Sequence, residues 1–163
     1  MIKAVTSNQD IEITAKLAHK IWNQHYVPII GKAQVDYMVE KFQSVEAIKD
    51  QLDNDFKYFL IYFSETPCGY LALISNTEEK KLMISKIYID KGFRGKNLGS
   101  ELLEFAINYG KDHSLKAIWL TVNKDNYHSI KWYETRGFRK EKKVEIDIGN
   151  GFIMDDYIME KTI

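Results

Sequence analysis

The chain has 163 residues, 45% of them hydrophobic, which suits a single domain able to bury roughly 68–70% of its unfolded surface. Lys+Arg and Asp+Glu each number 23, so no net field calls for nucleic acid or an anionic membrane, and any attraction for an anion must be local. The lone Cys68 excludes an intrachain disulfide, no apolar run approaches the ~18 residues of a membrane span, and MIKAVTSNQD lacks a signal-peptide core, so the cytoplasm is the expected compartment.

No linker, repeat or low-complexity segment divides the chain, and residues 1–163 read as one domain. MIKAVT predicts a short first strand. Ser7, with Asp10 three residues on, predicts a capping box for a helix carrying Ile11, Ala15, Ala18 and Trp22 at helical spacing. QHYVPIIGKAQ reads as a loop, a second helical region follows through Tyr37, Met38 and Phe42, and Ser44 caps a third with Val45, Ile48 and Leu52 inward. FKYFLIYF (56–63) and GYLALIS (69–75) read as strands around the turn SETPC, and KLMISKIYID (81–90) follows the polar turn NTEEK. Leu98, Leu102, Ala106 and Tyr109 mark one face of a helix, KAIWLTV (116–122) a buried strand, and DNYHSIKWYETR a helix ended by Gly137. Asn150-Gly151 then predicts a hairpin between Val144-Ile146-Ile148 and FIMDDYIME.

The stretch with the most chemistry is LMISKIYIDKGFRGKNLGS (82–100), where an apolar strand runs into a basic, glycine-bearing turn that opens an amphipathic helix. Arg94, Gly95, Lys96, Asn97, Leu98, Gly99 and Ser100 bring successive backbone N–H groups to a helix N-terminus, where orphan donors and the helix dipole favour an anion such as phosphate. Gly95 and Gly99 let the backbone approach a ligand closely, and Asn97 is among the residues that most readily take positive φ.

This segment resembles the acyl-CoA signature of the GCN5-related N-acetyltransferase superfamily, R/Q-x-x-G-x-G/A, with Arg94 first, Gly99 last and Asn97 in place of the middle glycine. Residues 122–138, VNKDNYHSIKWYETRGF, resemble the family's second block, N-x-x-A-x-x-F/W-Y-x-x-x-G-F, through Asn126, Ser129, Trp132, Tyr133, Gly137 and Phe138. Ser129 replaces the usual Ala, and Thr135 stands where many members carry Lys, which leaves Lys131 or Arg136 to supply positive charge from this helix. The likeness runs from about residue 56 to the C-terminus; residues 1–55 match only in general style. It implies an α+β fold: a mixed, mostly antiparallel twisted sheet with helices on both faces, splayed between the fourth and fifth strands so that a pantetheine arm can enter. The cosubstrate implied is acetyl-CoA, with no metal.

An amine attacking a thioester needs its lone pair, yet a lysine-like amine with a pKa near ~10.4 is almost wholly charged at neutral pH. Something must remove a proton, the oxyanion needs a fixed donor, and the leaving thiolate needs a hydrogen bond or a proton. By resemblance Tyr133 is the general acid, against the alternative of an aromatic packed under its helix beside Trp132. The resemblance also assigns the backbone of Ile87 and Ile89 to the pantetheine amides and thioester carbonyl, and Asn126 to the pantetheine arm, where a helix N-cap is the competing role. Many relatives place a carboxylate on the fourth strand, where this chain has Ser85-Lys86, so the base is not identified and a water chain or an N-terminal residue must serve. His25 and Tyr26 sit in the loop that covers the acceptor site in the family, where the competing reading for each is a surface or packing role.

From KIYID to MDDYIMEK the chain is most similar to the bacterial PaiA-type acetyltransferases, which acetylate spermidine and spermine. A cationic acceptor wants carboxylates, and Asp155 and Asp156 offer a pair on the last strand; the competing reading is a solvated, charged sheet edge. A primary amine on a small molecule or a protein is thus the expected acceptor, polyamine first. A non-catalytic acetyl-CoA sensor or regulatory module is the rival, and the assembly stays open between monomer and homodimer. Cys68 has no His–acid partner that would make it a nucleophile.

Overall fold

The computed structural model describes residues 1–163. The elements follow in the order β1 (Ile2–Ala4), α1 (Asn8–Ile30), α2 (Lys32–Gln43), α3 (Val45–Asp53), β2 (Lys57–Phe63), β3 (Thr66–Asn76), β4 (Lys81–Ile89), a 3-10 turn at Lys91–Phe93, α4 (Leu98–Asp112), β5 (Ala117–Asn123), α5 (Tyr127–Glu134), β6 (Arg139–Gly149) and β7 (Phe152–Thr162). The strands form a sheet of order β1-β2-β3-β4-β5-β7-β6, parallel at β4–β5 and otherwise mostly antiparallel, the α+β class that the sequence implies. Two compact units divide the chain: residues 1–74 with 86–106, and residues 75–85 with 107–163. No helix is long and apolar enough to cross a membrane.

In the first unit, Ser7 and Asp10 form the expected capping box: Ser7 Oγ accepts from the Asp10 N–H, while the Asp10 carboxylate accepts from the Ser7 N–H. The helix then runs on to Ile30, through Pro28, so most of the segment read as a loop is helical. A proline there removes the N–H that would return to the carbonyl four residues back and crowds that carbonyl with its ring, while the Tyr26 ring packs against Trp22 and Tyr88 in the same last turns. Gly31, at φ +86°, breaks the chain direction before α2, and Ser44 caps α3 by accepting from the Ala47 N–H. β2 and β3 pair from Lys57↔Leu73 to Phe63↔Thr66, so the turn between them shrinks to Ser64-Glu65, with Ser64 at φ +57°. Cys68 therefore lies inside β3 and is fully buried, rather than in a turn. Side chains alternate across this sheet: Tyr70 reaches Trp22 of α1, while Phe59 on the opposite face packs against Phe105 of α4 at 4.8 Å between ring centroids.

In the second unit, Lys81–Met83 of β4 pair in parallel with Ala117–Trp119 of β5. β7 lies between β5 and β6, in register from Ala117↔Thr162 to Asn123↔Asp156 on one side and from Arg139↔Glu160 to Gly149↔Phe152 on the other. The last strand is thus interior, and the edge position expected for Asp155-Asp156 belongs to β6 instead. Asn150 (φ +54°) and Gly151 (φ +79°) close the hairpin as predicted.

Candidate active site

The anion-binding turn belongs to the first unit and begins where β4 ends. Asp90, only 3% exposed, receives the Gly92 N–H at 3.1 Å and the Lys20 ammonium at 2.6 Å, and Gln24 Nε2 approaches it at 3.4 Å. Burial pushes the Asp90 carboxyl upward, but Lys20, the Gly92 N–H and Gln24 outweigh it and hold the group below the usual carboxylate range. Gln24 Oε1 also accepts from the Lys91 N–H, so two side chains of α1 clip the start of the turn to the helix. Sequence reasoning passed over Asp90; its signal was a short acid directly after the apolar strand and two residues before a glycine, the pattern of an Asx turn.

Beyond that clip the backbone turns left-handed twice, at Gly95 (φ +79°) and Asn97 (φ +63°), and the Asn97 carbonyl receives the Glu101 N–H as α4 begins. Leu98 is buried beneath the first turn, which carries Gly99 and Ser100. The N–H groups of Leu98 and Gly99 belong to that opening turn, where α-helical pairing leaves donors without an intrahelical acceptor. The cations flanking it are held by soft contacts: Lys96 Nζ sits 4.7 Å from the centre of the Phe63 ring, and Arg94 Nη2 lies 3.4 Å from His25 Nδ1.

Next to the turn, α1, β3 and β4 build an aromatic cluster. Trp22 meets Tyr26 and Tyr88 edge-on at 5.5 and 5.6 Å, His25 meets Tyr26 at 4.8 Å, and the Tyr26 and Tyr88 hydroxyls are 2.8 Å apart. His25 and Tyr26 are therefore helical residues within this cluster. Trp22 Nε1 donates to the Tyr70 hydroxyl, which donates to Gln43 Oε1; Gln43 Nε2 donates to the Tyr58 hydroxyl, which donates to Gln51 Oε1. Ile87 and Ile89 are half-buried on β4, and a Cβ on the neighbouring Gly69 would meet the Tyr88 carbonyl at 2.5 Å. Lys86, on the same strand, is desolvated enough that its ammonium falls to about 8.

The second unit carries the other block. Asn126 is buried and caps α5, its side chain accepting from the Ser129 N–H at 3.3 Å. Tyr133 is buried, its ring against Trp132 at 5.1 Å and Phe138 at 5.4 Å, and the helix closes with the Arg136 and Phe138 N–H groups on the Tyr133 carbonyl and Gly137 at φ +90°. Trp132 is the more exposed of the two neighbours and stacks under the Arg136 guanidinium at 3.8 Å, so Trp132 does not fill the core in place of Tyr133.

Asp155 and Asp156 do not share a face of the sheet. Successive residues of a strand face opposite sides of the sheet: Asp155 is ion-paired with Lys124 at 2.5 Å, whereas Asp156, 3% exposed, shares its face with Asn123 and Thr121 of β5 and hydrogen-bonds to Thr121. Burial raises the Asp156 carboxyl to about 6, with Thr121 opposing the shift and Asp155 adding to it. No group of three or more His, Cys, Asp or Glu side chains is placed to hold a metal ion.

Residues 18–138 match the family model described as the acetyltransferase (GNAT) family. An uncharacterized N-acetyltransferase of Lactobacillus delbrueckii subsp. lactis is 26% identical over 155 residues, covering 88% of each chain. A probable spermine N(1)-acetyltransferase of Bacillus subtilis subsp. natto is 30% identical over 60 residues, which span 36% of this chain and 40% of that one. Among solved structures, the PaiA N-acetyltransferase from Thermoplasma acidophilum in complex with coenzyme A superposes with a TM-score of 0.80 at 21% identity, over 100% of this chain and 99% of its own.

Proposed function

Because the chain belongs to the GNAT family of acetyltransferases, we propose that it moves the acetyl group of acetyl-CoA directly to a primary amine. The observation that carries this reading is the doubly left-handed turn at Gly95 and Asn97, clipped by Asp90 and leading straight into α4. Such a turn aligns backbone donors for a pyrophosphate, in the place where the family's acyl-CoA signature falls. In this reading the turn from Arg94 to Ser100 holds the pyrophosphate and the backbone of Ile87 and Ile89 receives the pantetheine amides; the resemblance also gives Asn126 a contact with that arm, beside its observed role as the N-cap of α5. The N–H of Ile89 faces the thioester carbonyl, and the Tyr133 hydroxyl protonates the departing thiolate.

The finer proposal is a polyamine acceptor such as spermidine or spermine, in a cytoplasmic setting. It is supported by the partial likeness to a probable spermine acetyltransferase, and the buried carboxylate of Asp156 is the acidic group left to meet a cation once Asp155 is tied to Lys124. His25 and Tyr26, in the aromatic cluster beside the turn, are the proposed acceptor contacts of the first unit. Incubating the purified protein with acetyl-CoA and spermidine, spermine, neomycin or an alanyl peptide, then reading products by mass spectrometry, tests both levels. Acetylated spermidine is the expected product. Transfer to the peptide alone removes the polyamine, and acetyl-CoA binding without transfer to any of these amines favours the sensor.

A further inference from the structure

Asp156 is costly where it stands. On an interior strand the residue is 3% exposed, no cation pairs with it, and the contact that favours its charged form is a hydrogen bond from the Thr121 hydroxyl. Removing a carboxylate from water without a counter-ion is unfavourable, and such groups cluster at sites of chemistry. The charges around it are otherwise engaged or distant: Asp155 faces the other side of β7 with Lys124, Glu160 pairs with Lys81, and Lys142 on β6 lies opposite Ile158. On the face it shares, Asn123 and Thr121 complete a polar cluster at the carboxyl end of β5.

We propose that Asp156 is the general base that takes the proton from the acceptor's ammonium group, with Thr121 orienting its carboxylate. This rests on the acetyl-transfer reading and supplies the base that the fourth strand, with Ser85-Lys86, lacks. Asp156 removes one proton from R–NH3+, directly or through one water. The freed lone pair forms the N–C bond to the thioester carbonyl carbon, and the tetrahedral centre collapses with cleavage of C–S. The thiolate takes the Tyr133 proton to give CoA–SH. The second amine proton is lost as the amide forms and restores Tyr133 through solvent, and Asp156 returns its own proton to water. The net reaction converts R–NH3+ and acetyl-CoA into the amide, CoA–SH and one H+.

The test compares wild type with Asp156→Asn, Asp156→Glu and Asp155→Asn, following CoA release with spermidine, neomycin and an alanyl peptide from pH 5 to 10. In wild type, kcat/KM should rise with unit slope through a midpoint near 6, the value to which burial lifts this carboxyl. Asp156→Asn should lower kcat about 10²- to 10⁴-fold, erase that limb and leave the acetyl-CoA Kd unchanged. Asp156→Glu should recover part of the rate, and Asp155→Asn should resemble wild type. Asp156→Asn should also melt no lower than wild type at pH 8, since a neutral amide escapes the cost of a buried charge, whereas a merely structural carboxylate would lose stability on replacement. A variant with wild-type rate and an intact limb overturns the assignment, as does a wild-type profile whose only limb lies near 8 and follows the acceptor amine's own pKa, about 7.7–8.0 for the peptide. If wild type acetylates none of the three amines, the acetyl-transfer reading itself falls and Asp156 falls with it, a result distinct from an active wild type indifferent to the substitution.

Discussion

At the level of single side chains, two residues separate binding from chemistry. Tyr133 is buried between Trp132 and Phe138, so removing its hydroxyl changes little of the packing. Tyr133→Phe should cut turnover about 10²- to 10⁴-fold with acetyl-CoA affinity nearly intact, because the proton matters only as charge gathers on sulfur; single-turnover kinetics beside calorimetry measures the two effects separately. Asn97 offers the reverse case. At φ +63° it occupies a conformation that costs a β-branched residue more than Asn or Gly. Asn97→Val should therefore weaken acetyl-CoA binding several-fold while Asn97→Gly is tolerated, and equal affinities by calorimetry would remove the turn from the ligand site. The Asn97 conformation was legible in the sequence because Asn is, after Gly, among the residues that most readily take positive φ. Whether Trp132 or Tyr133 would face the core was not, since one helix face can bury either neighbour until the Arg136 guanidinium stacks on Trp132.

Among elements, the tight approach of β3 to β4 sets the backbone that the pantetheine is proposed to read. A Cβ at Gly69 would meet the Tyr88 carbonyl at 2.5 Å and Ile89 Cδ1 at 2.6 Å, and backbone cannot yield as a side-chain tip can. Gly69→Ala should cost about 1–3 kcal/mol by overpacking and weaken acetyl-CoA binding, as thermal melts and calorimetry would show; a variant as stable and as tight-binding as wild type refutes the link. Local signals predicted the capping box, the Ser44 cap and the Asn150-Gly151 hairpin because each is encoded within a few residues. The run of α1 through Pro28 was not predicted, since the aromatic contact that sustains it comes from β4, more than fifty residues away in sequence. The interior place of β7 escaped for the same reason: a period-2 pattern says which face is buried, not which strand lies alongside.

For the molecule as a whole, buried acids of opposite behaviour shape the response to pH. Burial would raise the Asp10 carboxyl, but Lys3 and the Thr6 and Ser7 N–H groups hold it below 3.8, as Lys20, the Gly92 N–H and Gln24 do for Asp90. Both therefore stabilise the fold above about pH 4, and that contribution is lost as pH falls through their lowered values. Asp156 works the other way: its carboxyl is raised from 3.8 to about 6, so its cost is absent below that interval, grows across it and is constant above. Melting curves from pH 3 to 8 should show Asp156→Asn gaining on wild type between about pH 4 and 6, while Asp90→Asn falls behind it above pH 4; parallel curves for Asp156→Asn would mean the carboxyl titrates normally. The chain of hydrogen bonds from Trp22 through Tyr70, Gln43 and Tyr58 to Gln51 has a further consequence, because an indole can only donate. Every proton in it must then point the same way, from α1 toward α3, and no member can be exchanged singly without stranding a donor or an acceptor. Over evolutionary drift these five positions should change as a set, so that sequences losing the indole at position 22 also lose the phenol at 70 or the amide at 43.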